Sequence, residues 1–132
     1  MRKLGRLVVV LAALAASFGL TQGSASALVA FCYNDDGDAG GRSCSIYHEA
    51  DGYRVDSVKF DAYGEHLTVN DLVTDSKGVA AYVNGVRYPG QPSDYGPVTY
   101  NLSISEGTKV VLTSCQTNNG KEYDCHSENA IA

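Results

Sequence analysis

Residues 98–115 constrain the fold most, because apolar and polar side chains alternate without a break over 98–104 and a β-branched segment follows after a turn. The apolar positions of the first half are Val98, Tyr100, Leu102 and Ile104. A β-strand has a side-chain period of two, so this half predicts a strand with one face on a core and one in water. Residues 105–107 predict a turn, and residues 108–115 predict a second, β-branched strand. Together they predict a hairpin.

Residues 1–27 have the pattern of a secretory signal peptide. Three basic residues precede an almost wholly apolar run at 7–20, and small residues lead up to Ala27. We expect cleavage after Ala27 and a secreted, extracellular product. A membrane anchor is the alternative, but the apolar run is shorter than the roughly 20 residues that cross a bilayer.

Cleavage would remove three of the ten basic residues and none of the fifteen acidic ones. The mature chain would therefore be strongly acidic. Nucleic acids and anionic membranes both require a positively charged surface. The composition therefore predicts neither as a partner, and it favours solubility.

All four cysteines follow the predicted signal peptide, and the extracellular compartment is oxidising. We predict two disulfides, and we favour the local pairs Cys32–Cys44 and Cys115–Cys125 over the two other pairings that four cysteines allow. A zinc site is disfavoured, because the chain has no Cys-x-x-Cys motif and its histidines are scattered. We predict no metal and no cofactor.

The rest of the chain shows no helical periodicity. Asn84-Gly85 is a strong hairpin signal for a type I′ turn, and residues 89–97 hold all three prolines and must form a loop. We predict an all-β fold, a small immunoglobulin-like β-sandwich of about seven strands. Its organisation would be a signal peptide at 1–27, an arm with a disulfide-bounded acidic, glycine-rich loop at 28–45, and the β-sandwich at 46–132.

No set of residues predicts catalysis. His48-Glu49 beside Asp51 could act as a general base with a partner, but neighbours on a strand point to opposite faces. A surface turn is the favoured interpretation. Asn34 and the acids after it alternate like the start of a calcium loop, but Ala39 stands where glycine is needed. We therefore predict neither an enzyme nor a metal site.

The apolar segment that follows the signal peptide is the candidate partner-binding site, through Leu28, Val29, Phe31 and Tyr33. It would be either the first strand of the sandwich or an arm that pairs with the sheet edge of another secreted protein. Two tyrosines near the proline-rich loop, Tyr88 and Tyr95, are candidate loop contacts. Their rings would stack on a protein or a glycan.

Three motifs give the chain a family resemblance: YGEHLTVND at 63–71, GVAAYV at 78–83 and SEGTKVVLTSC at 105–115. The chain resembles small secreted β-sandwich proteins of filamentous actinobacteria. Its layout is similar to the small adaptor subunit of umbrella toxin particles, which joins a lectin-like subunit to a toxin-bearing one. That resemblance implies a Cys32–Cys44 bridge around an inserting segment.

These observations predict a secreted, non-catalytic protein-binding module, an adaptor in an extracellular toxin-type complex that uses residues 28–33 for strand addition. A secreted protease or amylase inhibitor is one alternative, and it would act through residues 88–97. A carbohydrate-binding module is the other.

Overall fold

The computed structural model describes residues 26–34 and 37–132. Most of the predicted signal peptide, at 1–25, and the acidic residues at 35 and 36 lie outside the described residues. No helix in the described part of the chain is long and apolar enough to cross a membrane.

The described residues form nine strands and a single short 3-10 turn at Ser93–Tyr95. The strands are β1 (Ser26–Asn34), β2 (Arg42–Ala50), β3 (Tyr53–Asp61), β4 (His66–Asp71), β5 (Lys77–Val83), β6 (Val86–Pro89), β7 (Val98–Asn101), β8 (Lys109–Asn118) and β9 (Lys121–Ile131).

All strand pairs are antiparallel, and the sheet curls into two layers. One layer has the order β6-β5-β8-β9, and the other has the order β1-β2-β3-β4-β7. A single backbone pair, Arg42 with Ile131, joins β2 to β9 and so connects the layers. The all-β, sandwich-like prediction is confirmed, with nine strands where about seven were predicted.

The core lies between the layers and is built by period-two patterns. Val58 and Phe60 on β3 and Leu67 on β4 face inward from one layer. Val110 and Leu112 on β8 meet them from the other. Inward side chains alternate with outward ones along these strands. The alternation determines which face of each strand packs on the core.

The hairpin predicted for residues 98–115 is wrong. β7 pairs with β4 in one layer, and β8 pairs with β5 and β9 in the other. Leu102 and Ile104 still pack against the core, although β7 ends at Asn101. Alternation fixes which face is buried but not which strand is the neighbour, so residues 102–108 cross between the layers.

The Asn84-Gly85 turn is confirmed. Val83 lies opposite Val86, and Asn84 and Gly85 have φ angles of 50° and 82°. Two positive φ angles define the type I′ turn, which asparagine and glycine adopt at low cost.

The two disulfides, Cys32–Cys44 and Cys115–Cys125, are also as predicted. Each joins neighbouring strands of one hairpin, β1–β2 or β8–β9, with Cα atoms 4.1 Å apart. The paired cysteines are separated by 12 and 10 positions in sequence. In the chain-entropy model each bridge stabilises the fold by about 3 kcal/mol.

Candidate functional site

The outer face of β1 and β2 carries an exposed aromatic cluster, formed by Phe31, Tyr33 and Tyr47. Phe31 is 49% exposed and Tyr33 is 40% exposed. The Phe31 ring centroid lies 6.3 Å from that of Tyr33, with the planes 27° apart, and 6.4 Å from that of Tyr47. Alternation along β1 places Val29 on the same face, opposite Tyr47. A monomer that exposes adjoining aromatic rings in this way has a candidate interaction surface.

Two cations border the aromatic cluster. The Arg54 guanidinium carbon lies 3.7 Å from the centroid of the Tyr47 ring, a cation–π contact. Lys59 lies on the same face, and its Nζ is 2.6 Å from Asp61 Oδ1. The hydrogen bond to Asp61 raises the pKa of Lys59, burial opposes the rise, and Tyr33 contributes to it. Two cations thus border the cluster, and one of them, Lys59, is paired with an acid.

The outer edge of β1 has no strand partner among residues 26–34 and 37–132, since β1 pairs with β2 alone. The short Cα distance of the Cys32–Cys44 pair marks a pair without mutual backbone hydrogen bonds. The N–H and C=O groups of Cys32, and by alternation those of Leu28 and Ala30, therefore point away from β2. They form a row of donors and acceptors at the edge.

The structure brings together three of the four predicted partner-binding residues. Val29, Phe31 and Tyr33 share the outer face, whereas Leu28 lies on the opposite face, 40% exposed, at a pocket that it lines with His48 and Cys125. The sequence predicted residues 28–45 to be an arm before the domain, but residues 28–34 lie in β1 and residues 42–45 lie in β2 of the same sheet.

The two loop tyrosines do not form one site. Tyr88 lies in β6 and packs edge-on against Tyr100, with centroids 5.1 Å apart. The Tyr100 hydroxyl donates to the Pro89 carbonyl at 2.7 Å. Tyr95 is 76% exposed in the loop between β6 and β7.

Hydrogen bonds hold the loop around Tyr95. The Gln91 side-chain amide donates to the carbonyls of Tyr95 and Gly96 at 3.0 and 3.1 Å. Thr74 Oγ1 lies 2.9 Å from Ser93 Oγ, which ties the loop to the segment after β4. The sequence contains no cysteines that frame this loop, but its own polar side chains restrain it.

The prediction that His48 lies in a surface turn is wrong. β2 continues to Ala50, so His48 points inward and is 1% exposed. Its Nδ1 is 2.8 Å from Asp56 Oδ1, and its Nε2 is 3.0 Å from the Asp124 carbonyl oxygen. A histidine beside a carboxylate resembles a catalytic pair, but the second nitrogen, which a general base would use, already contacts backbone.

Among residues 26–34 and 37–132, no group of three His, Cys, Asp or Glu side chains could hold a metal ion. The acid at 36, one of the positions that imitate a calcium loop in the sequence, lies outside those ranges.

The fold and the surface together define a class: a small, disulfide-bonded, all-β protein with an open strand edge beside an aromatic face. Comparisons with protein-family models, with curated proteins and with solved structures found no match.

Proposed function

We propose that this chain is a secreted, non-catalytic protein-binding module, an adaptor in an extracellular toxin-type complex. The observation that carries the proposal is the open outer edge of β1, which adjoins the exposed aromatic cluster of Phe31, Tyr33 and Tyr47.

An extended segment of another secreted protein would add to the sheet beside β1. Main-chain hydrogen bonds to Leu28, Ala30 and Cys32 would supply affinity. Alternate side chains of the added strand would lie next to Val29 and Phe31, where aromatic and β-branched cross-strand pairs contribute roughly 0.2–1 kcal/mol each. This mode uses β1 as a paired strand and needs no free arm.

Two variants test this mode in the secreted, oxidised protein. Ala30→Pro removes an outward N–H that β2 does not use, and Phe31→Ala removes the central ring. Tyr63→Ala, an exposed tyrosine in the turn before β4, is the matched control. Affinity purification from culture supernatant should recover the same protein with wild type and the control but not with either β1 variant. Recovery by all four proteins would refute strand addition at β1.

A protease or amylase inhibitor is the second candidate, and the observation that favours it is the restrained loop with Tyr95 exposed at its surface. Rigid loops bind with less loss of conformational entropy. The test is inhibition of serine proteases and amylases by wild type and by Tyr95→Ala. No inhibition by wild type would remove this function.

A carbohydrate-binding module is the third candidate, and the near-parallel rings of Phe31 and Tyr33 favour it. Such rings stack on the apolar faces of sugars. A glycan array probed with wild type and Phe31→Ala separates this function from strand addition, because Ala30→Pro should leave glycan binding unchanged.

A further inference from the structure

His48 lies where the two layers of the sandwich meet. It points inward from β2, its Nδ1 contacts the Asp56 carboxylate of β3, and its Nε2 contacts the carbonyl of Asp124 on β9. The imidazole thus connects a hairpin of one layer with the last strand of the other layer.

Both partners of the ring can only accept hydrogen bonds. Asp56 Oδ1 also accepts the His48 backbone N–H at 3.2 Å, and Asp56 Oδ2 accepts the Gln116 amide at 3.2 Å. The Asp56 carboxylate thus faces a donor at each oxygen besides the ring, and a backbone carbonyl has no proton to give. A neutral imidazole has one N–H, so it would leave one of its two acceptors without a donor. Only the imidazolium ion satisfies both contacts.

The groups around His48 favour its charged form. The elements packed against it supply Asp56 on β3, Asp71 opposite Asp56 on β4, uncharged Gln116 on β8, Asp124 and His126 on β9, and apolar Leu28 on β1. The cavity beside Asp56 is also lined by the acids Glu49 and Asp75, by Tyr123 and by one cation, Lys77, which opposes the charged form. Burial lowers the pKa of His48, but the hydrogen bond and charge of Asp56 and the carbonyl and charge of Asp124 outweigh it. The pKa is therefore raised above 6.5.

The backbone connection between β2 and β9 is a single pair, Arg42 with Ile131. His48 lies six residues further along β2, about 20 Å away at 3.3 Å per residue. Between them, Cys44 Sγ lies 3.5 Å from the Asn129 carbonyl oxygen. The boundary between β2 and β9 is called the β2–β9 seam below. His48 is therefore the polar contact between these two strands at the end of the seam that lies away from Arg42.

We propose that protonated His48 is a clasp that holds β9 against the β2–β3 pair, and that loss of its proton releases this end of β9. The clasp is a property of the fold and does not depend on what the protein binds. Stabilisation from a raised histidine pKa is complete below about pH 6.5 and is lost as the pH rises through the raised value. In this proposal the first part of β9 packs against β2 and β3 at acidic pH and separates from them at alkaline pH.

The first test reads the ring directly in the wild-type protein. Long-range ¹H–¹⁵N spectra of oxidised, uniformly labelled protein are recorded from about pH 5 to about pH 9. His48 should have two protonated ring nitrogens until the pH is well above about 6.5. The His66→Gln and His126→Gln variants remove the signals of the two other histidines and complete the assignment. A neutral His48 ring with one proton at about pH 6 would overturn the proposal.

The second test reads the contact between His48 and β9, because the amides of β9 are protected by pairing with β8 whether or not the clasp is closed. Nuclear Overhauser contacts between the His48 ring protons and residues 124–126 should be present at about pH 6 and absent at about pH 9, while contacts between β3 and β4 remain. Asp56→Asn should shift this loss to lower pH, and His126→Gln should leave the contacts to residues 124 and 125 in place. Contacts between the His48 ring and residues 124–126 that are independent of pH in wild type would overturn the clasp, even if Asp56→Asn fails to fold.

Discussion

Replacement of Asp71 by asparagine should stabilise the protein at neutral pH. Asp71 is 8% exposed and lies directly opposite Asp56 on the inner face. Asp56 has His48 and Gln116 as side-chain donors, whereas the Asp71 carboxylate accepts the Val73 N–H at 3.2 Å. Burial raises the pKa of Asp71, the Val73 N–H lowers it, and the charges of Asp75 and Asp56 raise it, so the net direction is upward.

A carboxyl group whose pKa is raised by folding opposes the folded state where it is ionised, and the penalty disappears as the pH falls through the raised value. The side chain introduced by Asp71→Asn has the same shape and could still accept the Val73 N–H. Its amide could also donate toward Asp56. Like charges directly opposite on neighbouring strands cost up to about 1 kcal/mol. A gain of that size corresponds to roughly 4–8 °C in melting temperature for a domain of this length.

The assay is urea unfolding followed by circular dichroism, at about pH 7 and in steps down to about pH 4. The gain of Asp71→Asn over wild type should be largest at neutral pH and should shrink in acid. Asp75→Asn, which changes an exposed neighbour, is the control and should have a smaller effect. Equal or lower stability of Asp71→Asn at neutral pH would show that the buried carboxylate is already compensated.

Three further outcomes are expected. Phe60→Ala should lower the free energy of unfolding by about 3–5 kcal/mol in denaturant, because it empties a fully buried site. Tyr53→Ala, on the surface, should change that free energy by less than about 0.5 kcal/mol. Similar losses of stability in the two variants would show that Phe60 is not central to the core. Joint replacement of Cys115 and Cys125 by serine should cost about 3 kcal/mol, measured in the same way, and an unchanged midpoint would contradict it. Gln91→Ala should speed hydrogen exchange in the loop that follows it without lowering the melting temperature by more than a few degrees; unchanged exchange would mean that other contacts hold the loop.

The sequence predicted which face of a strand is buried better than it predicted which strands pair with each other. Alternation at 98–104 identified the buried side correctly, because side-chain period is a local property. It could not show that β7 pairs with β4 and that β8 pairs with β5 and β9, since pairing depends on distant parts of the chain.

The buried position of His48 was not predicted, although a signal for it was present. Cys44, Ile46 and His48 have i, i+2 spacing, and so do Asp56, Val58 and Phe60 on the next strand. Extending both patterns by one step places His48 and Asp56 in the interior. Glu49, Asp51 and Gly52 favour a turn in the sequence, and they obscure the continuation of the strand to Ala50.

For the candidate site, too, the sequence predicted the face of the strand but not the residues that neighbouring strands contribute. Alternation alone places Phe31 and Tyr33 on one side of a strand. The contribution of Tyr47 and the cation above it, Arg54, follows from the β1–β2 register and from the bulge after His48, and neither can be read from composition.

Both disulfides connect strands that follow one another directly in the chain, and neither spans the two layers. Under oxidising conditions each bridge can therefore close as soon as its own hairpin has formed, without waiting for the rest of the polypeptide. Correct oxidation becomes a local event at each end of the molecule, and mispairing between the two ends would require cysteines far apart in sequence to meet first.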